Sequence, residues 1–269
     1  MVPLAAEPLT TIAGFPVTNS MVNAWIAVIF FLIVAAVARS RRGLVPKGIH
    51  NVIEAVVEFL LNEIQKVTGD RPRAKAFLPL VGTIFLFVLF SNWIGQIPGT
   101  GSIGIKEIVD GKMKLIPLFR PATSDINLTL AMALFAVVAT HIFGVVKQGP
   151  FKHFGKFVNI EGIVRSIRKG PMAVLVALIE FGVGLLEIIS EFAKVLSLSL
   201  RLFGNIFAGE VLLTVMMGIF AYFLPLPFIF LEILVGAIQA TVFGMLTLAF
   251  LTVATEGHGH ADEPHTAHA

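Results

Sequence analysis

The sequence predicts an all-α membrane protein, and three observations lead there. Of 269 residues, 56% are hydrophobic and only 14% are charged, with a mean hydropathy of +0.88; soluble chains carry about 25% charged residues. Several charge-free stretches reach the roughly 20 residues that a helix needs to cross a bilayer. Lys and Arg gather in short segments between them, the bias that orients membrane proteins. Together these features exclude a solvated globular enzyme, a disordered chain and a nucleic-acid binder, and a net charge of +3 is too small to attract a polyanion. The lack of cysteine excludes a disulfide scaffold, a thiolate zinc site and a cysteine nucleophile.

The elements follow in order: about five membrane helices and one amphipathic interfacial helix. The first span is read at 21–38, the apolar core of the charge-free stretch 8–38. No Lys or Arg precedes it, whereas Arg39, Arg41, Arg42 and Lys47 follow. That pattern predicts a retained span rather than a cleaved signal, with the N-terminus outside. Residues 49–66, IHNVIEAVVEFLLNEIQK, place apolar side chains at 49, 52, 53, 56, 57, 60, 61 and 64. Such a stripe predicts an amphipathic helix on the cytoplasmic interface or against a partner. Further spans are read at 76–97 and at 126–146, the latter interrupted only by His141. The 98–125 loop mixes Lys106, Lys112, Lys114 and Arg120 with Glu107, Asp110 and Asp125, which suits the outside. The 147–170 loop, with six basic residues and one acid, belongs inside. Two long helices, 171–220 and 228–255, complete a single membrane domain and leave the C-terminus cytoplasmic. The tail 256–269 carries His258, His260, His265 and His268 and reads as a polar terminus rather than a metal site.

Two motifs mislead. Gly99-Thr100-Gly101-Ser102-Ile103-Gly104 matches a dinucleotide-binding fingerprint, but that motif needs a strand before it and a helix after it. Here it follows a membrane span and a proline. Asn127-Leu128-Thr129 matches a glycosylation sequon at the mouth of a span. The sequence contains no P-loop motif, and neither a cofactor nor a metal is expected.

The stretch 171–213 is apolar yet holds Glu180, Glu187, Glu191, Lys194, Arg201 and Glu210. Each charge within a membrane costs about 2.5–3.5 kcal/mol on insertion scales. Either the helix lies at the interface with its charges reaching outward, or those groups face protein, water or an ion path. At about 100° per residue, Lys194 lies roughly 20° from Arg201, Glu187 and Asn205 roughly 40°, and Glu180 roughly 60°. Glu210 lies about 180° away. Protonatable groups therefore occupy two faces with a fixed cation between them along the axis, which fits two separate aqueous accesses better than one pore. Arginine stays protonated and cannot relay a proton, while a buried glutamate can. In the last helix, Glu232 and Gln239 share one face.

The segment LSLRLFGNIFAGE, ending at Glu210, resembles the signature of subunit a of F-type ATP synthases. The resemblance extends through PLVGTIFLFVLFSNWIGQIPG (79–99), PATSDINLTLAMAL (121–134) and AIQATVFGMLT (237–247). It implies an ion-translocating, non-catalytic stator subunit, with protons the expected ion and sodium an alternative. By the resemblance, Arg201 matches the essential arginine that faces the ring of c subunits. Asn205, Glu210 and Gln239 match polar residues of the half-channel open to the outside, with Glu232 beside them. Glu187 and Ser190 match the cytoplasmic half-channel, and Asn92 and Asp125 match polar positions of neighbouring helices; Lys194, Glu180 and Glu191 are secondary candidates. Many members pair Glu with His where this chain has Glu210 and Glu232, and two close carboxylates would titrate as a coupled pair. The resemblance further implies tilt of the last two helices around the rotor. It names as partners the c-subunit ring, peripheral-stalk b subunits, other synthase subunits and lipid, in a bacterial inner membrane or an organellar one. A standalone channel or secondary transporter is the competing class; no internal repeat, which transporters often show, is visible.

Overall fold

The computed structural model describes residues 6–12, 14–40, 48–97, 103–109, 112–150, 153, 155, 171–220, 223 and 225–255. The histidine-rich tail, most of the basic 41–47 and 147–170 segments, and Gly99 to Ser102 of the fingerprint match lie outside them. Among the described residues the architecture is an all-α membrane bundle with a small β-hairpin addition. A hairpin of β1 (Pro8–Ile12) and β2 (Phe15–Thr18) leads into α1 (Asn19–Ser40). Helices α2 (Ile49–Thr68) and α3 (Arg71–Gly95) follow, then a second hairpin, β3 (Gly104–Val109) and β4 (Lys112–Pro117). A 3-10 turn at Ala122–Ser124 opens α4 (Ile126–Gln148). Last come α5 (Pro171–Ile219) and α6 (Pro225–Thr255).

The two antiparallel hairpins are not expected from the hydropathy pattern. Both lie at one end of the bundle, since Asn19 at the start of α1 donates to the carbonyl of Pro117 at the end of β4 (3.2 Å). Gly104, the last residue of the fingerprint match, begins a strand of this hairpin instead of leading into a helix.

Among the described residues, four helices are long and apolar enough to cross a membrane: Asn19–Arg39, Arg71–Gly95, Ile126–Gln148 and Pro225–Thr255. Helix α3 begins upstream of its apolar run, because Pro72 in the first turn pre-sets helical φ without forfeiting a needed donor. Helix α4 begins where the Asp125 side chain accepts from the Asn127 backbone N–H (2.9 Å), satisfying an otherwise orphaned donor.

The buried core joins four helices: Ile84 and Val88 of α3, Ala133 and Val137 of α4, Leu198, Leu202 and Ile206 of α5, and Phe243 of α6. A second cluster seats Leu61 and Ile64 of α2 against Phe77 of α3 and Leu251 of α6. The amphipathic α2 therefore buries only its later turns, and Ile49, Val52, Val56 and Phe59 stay exposed. Stacked Phe30 and Phe90 rings, 4.2 Å between centroids, tie α1 to α3. Lipid tails are as apolar as these side chains, so small residues that permit close helix approach matter more here than area burial. Helices α5 and α6 run antiparallel: Asn205 meets Gln239, Gly209 meets Glu232, and Lys194 lies over Phe250.

Candidate functional site

Arg201 sits on α5 between two polar regions. Toward the hairpin end, α5 turns Glu210 inward, and α6 brings Glu232 and Gln239 to the same seam. Glu232 and Gln239 are buried, 5% and 3% exposed, although both lie on an apolar helix. The seam is closed by α3 and by the turn before α4.

Most polar side chains in this seam have a specific partner. The Arg120 guanidinium, 3% exposed, places Nε 3.1 Å from both carboxylate oxygens of Glu210. Gln96 Nε2 donates to Glu232 Oε2 (3.0 Å). Asn205 Nδ2 donates to Gln239 Oε1 (2.8 Å). Asn92 donates to the Gly236 carbonyl (3.3 Å) and accepts from Thr123 Oγ1. Gly209 makes room in this geometry: a Cβ there would meet the Glu232 carboxylate, which would have to shift. The absent side chain is what lets a carboxylate of α6 press against α5.

Glu210 and Glu232 thus hold different partners, an arginine and an amide. A salt-bridged carboxylate and one facing a neutral donor differ in the cost of ionising. Two glutamates can therefore fill unequal roles without a histidine.

Toward the opposite end, a cleft of about 260 Å³ is lined by Ser190, Lys194, Ser197, Arg201, Leu246 and Phe250. Lys194 Nζ bonds Glu191 Oε1 (2.6 Å) and stands 5.1 Å from the Phe250 ring centre. Glu191 in turn reaches His141 of α4 (3.4 Å). Among the described residues no carboxylate pairs with Arg201, which is exposed on the surface of the chain. Glu187 is half-buried and Glu180 exposed, both further along α5.

The structure thus brings Glu210, Glu232, Asn205, Gln239 and Asn92 into one seam, and Ser190, Lys194 and Arg201 around one cleft with Glu191 adjoining. Asp125 lies apart from the carboxylates as the cap of α4, where it also accepts from Ser20 Oγ (2.8 Å). Sequence reasoning missed Arg120, Gln96 and Thr123 in the seam, and His141 and Ser197 near the cleft. Gln96 falls in a charge-free stretch and His141 is the one ionisable group of its span, so polarity within an apolar run was the available signal. Arg120 reaches the seam from a turn and leaves no periodic trace. No group of three or more His, Cys, Asp or Glu among the described residues is placed to hold a metal ion.

Comparison with known proteins follows the same residues. A sequence model of the family described as ATP synthase A chain matches residues 21–252. The chain is 37% identical to ATP synthase subunit a of Campylobacter curvus over 86% of its length and 88% of the relative's. It is 36% identical to that of Campylobacter concisus, over 86% and 88%. It is 32% identical to that of Gloeobacter violaceus, over 89% and 85%.

Proposed function

We propose a role that proceeds from membership: this chain belongs to the ATP synthase A chain family. It is a multipass membrane protein and an ATP synthase subunit a, and in that assembly it acts as the ion-translocating stator. Five helices span the membrane, α5 and α6 lie tilted along the rotor, the hairpin end faces outside and the C-terminus is cytoplasmic.

Protons enter through the seam of Glu210, Glu232, Asn205 and Gln239. The buried Gln239 Nε2 has no acceptor among the described residues, and water satisfies such a donor when it penetrates. A ring carboxylate takes the proton there and becomes neutral. A neutral site can face lipid at far lower cost than an ionised one. After nearly a full turn, the carboxylate reaches the cleft of Ser190, Ser197 and Lys194, with Glu187 nearby, and releases its proton. Arg201 holds it ionised and blocks direct passage between the two regions. A charge crossing the membrane potential gains about 2.3 kcal/mol per 100 mV, which supplies the torque.

The observation that carries this role is the position of Arg201: a permanent cation, exposed on an apolar surface, lying between a polar seam and a polar cleft. An arginine on an apolar exposed face is costly in lipid, and a carboxylate from another subunit removes that cost. In the assembled synthase, Arg201→Ala is expected to abolish coupled ATP synthesis while the complex still assembles. Arg201→Lys should also fail, because an ammonium lacks the planar fork that grips a carboxylate. Synthesis at the normal rate in Arg201→Ala would overturn the proposal.

A further inference from the structure

At the end of the bundle opposite Glu210, the structure joins four titratable side chains that the residues assigned above do not connect. Lys194 bonds Glu191 at 2.6 Å. Glu191 Oε2 lies 3.4 Å from His141 Nε2, and His141 Nδ1 lies 3.1 Å from His153 Nε2. The last contact requires one imidazole to donate to the other. His141 therefore uses both ring nitrogens, one toward a carboxylate and one toward a second imidazole. Imidazole can take a proton on one nitrogen and give up another from the opposite nitrogen.

The placement is built into the backbone. Glu191 and Lys194 are three residues apart on α5, so both side chains lie on one stripe facing α4 and α6. His141 stands about two turns before the end of α4. Gly144, one turn further, leaves room for His153: a Cβ there would come 2.5 Å from His153 Cε1. His153 is 3% exposed, and its Nε2 is the atom that meets His141. The charged groups facing His141 from α5 are Glu191 and Lys194, and His153 faces it from beyond α4. Lys194 also lines the cleft beside Arg201, so the chain of contacts begins where the ring carboxylate releases its proton.

We infer that Glu191, His141 and His153 form a proton relay leading from the cleft beside Arg201 to the cytoplasmic side. The inference rests on the stator role proposed above. The ring carboxylic acid loses its proton to water in the cleft, and that water passes a proton to the Glu191 carboxylate. Glu191 hands it to His141 Nε2, while the proton on His141 Nδ1 moves to His153 Nε2. His153 gives up its Nδ1 proton to water that reaches it from that side, and each ring regains its starting tautomer by losing a proton from Nε2 to water and taking one from water at Nδ1. One proton crosses and no other bond changes.

The test uses the assembled synthase in inverted membrane vesicles, with ATP-driven proton pumping normalised to the amount of complex. His141→Gln retains hydrogen-bonding capacity but cannot carry a proton; pumping is expected to fall at least about tenfold, in line with the loss of a positioned proton carrier. His141→Ala should fall as far and recover in part on addition of imidazole, which a merely structural defect would not do. Pumping by His141→Gln within about twofold of the parent, or no imidazole response in His141→Ala, overturns the relay. Arg201→Ala serves as the parallel arm. If that variant stays coupled, the stator role itself fails; if it is inactive and His141→Gln pumps normally, only the relay fails.

Discussion

The seam between α3, α5 and α6 and the outward face of α5 carry the same kinds of side chain and treat them oppositely. In the seam, Glu210, Glu232, Asn205 and Gln239 are each bonded within the chain, and Glu232 and Gln239 are buried. On the outward face, Arg201 finds no carboxylate among the described residues. Polar groups in an apolar setting must be satisfied somewhere. The seam satisfies them internally, so substitutions there should be read in stability and assembly. On the proposed reading a partner subunit satisfies Arg201 on the outward face, so substitutions there should be read in coupling.

The sharpest way to break this contrast is Gly209→Val. A side chain at that position meets the Glu232 carboxylate and forces it to shift, and the branched valine adds bulk in the same narrow space. The expected result is near-complete loss of assembled, pumping synthase in membranes, and normal levels would show that the seam is not closely packed. Next is Arg120→Ala, which leaves the Glu210 carboxylate without its buried partner. Removing one partner of a buried pair costs about 3–5 kcal/mol, so thermal inactivation of the complex should shift clearly downward. Arg120→Lys should shift it less, because charge is kept and the fork is lost. Gln96→Leu removes a single neutral donor from Glu232 and should cost about 1–3 kcal/mol by the same measurement. At the small end, Ser197→Ala on the outward face, where Ser197 is exposed, should leave thermal inactivation unchanged. A clear destabilisation there would mean that the exposed face is held by this chain after all.

The same division explains what could be read in the sequence. Helices α1, α3, α4 and α6 overlie apolar windows, because crossing lipid demands length and apolarity, and both are local properties. The stripe at 49–66 marks α2 because an interfacial helix must show a 3.6-residue period. Within α5, the azimuths of Lys194, Arg201, Asn205 and Glu210 follow from helix geometry alone. Contacts between helices were not readable in that way. Arg120 arrives from a turn, Gln96 from the end of α3, and the opening at Gly209 matters only because α6 carries Glu232 at the facing level. The hairpins were hidden by a composition that reads as loop, although Asp110-Gly111 between two alternating runs is a hairpin signal. Asp125, singled out by the family resemblance, also serves as the cap of α4, a role set by local geometry.

The central claim is that Arg201 faces a carboxylate-bearing partner helix, and cysteine cross-linking tests it most directly. The chain has no cysteine of its own, so each introduced thiol reports one position. Ser197 and Ala208 are exposed and lie within about 40° of Arg201 around the axis of α5. Phe135 on α4 is exposed elsewhere and serves as the control. Ser197→Cys and Ala208→Cys should each form a disulfide with a cysteine placed next to the ion-binding carboxylate of the c subunit, and Phe135→Cys should form none. Failure at both α5 positions, in a complex that assembles, would mean that Arg201 faces lipid or water and would contradict the account.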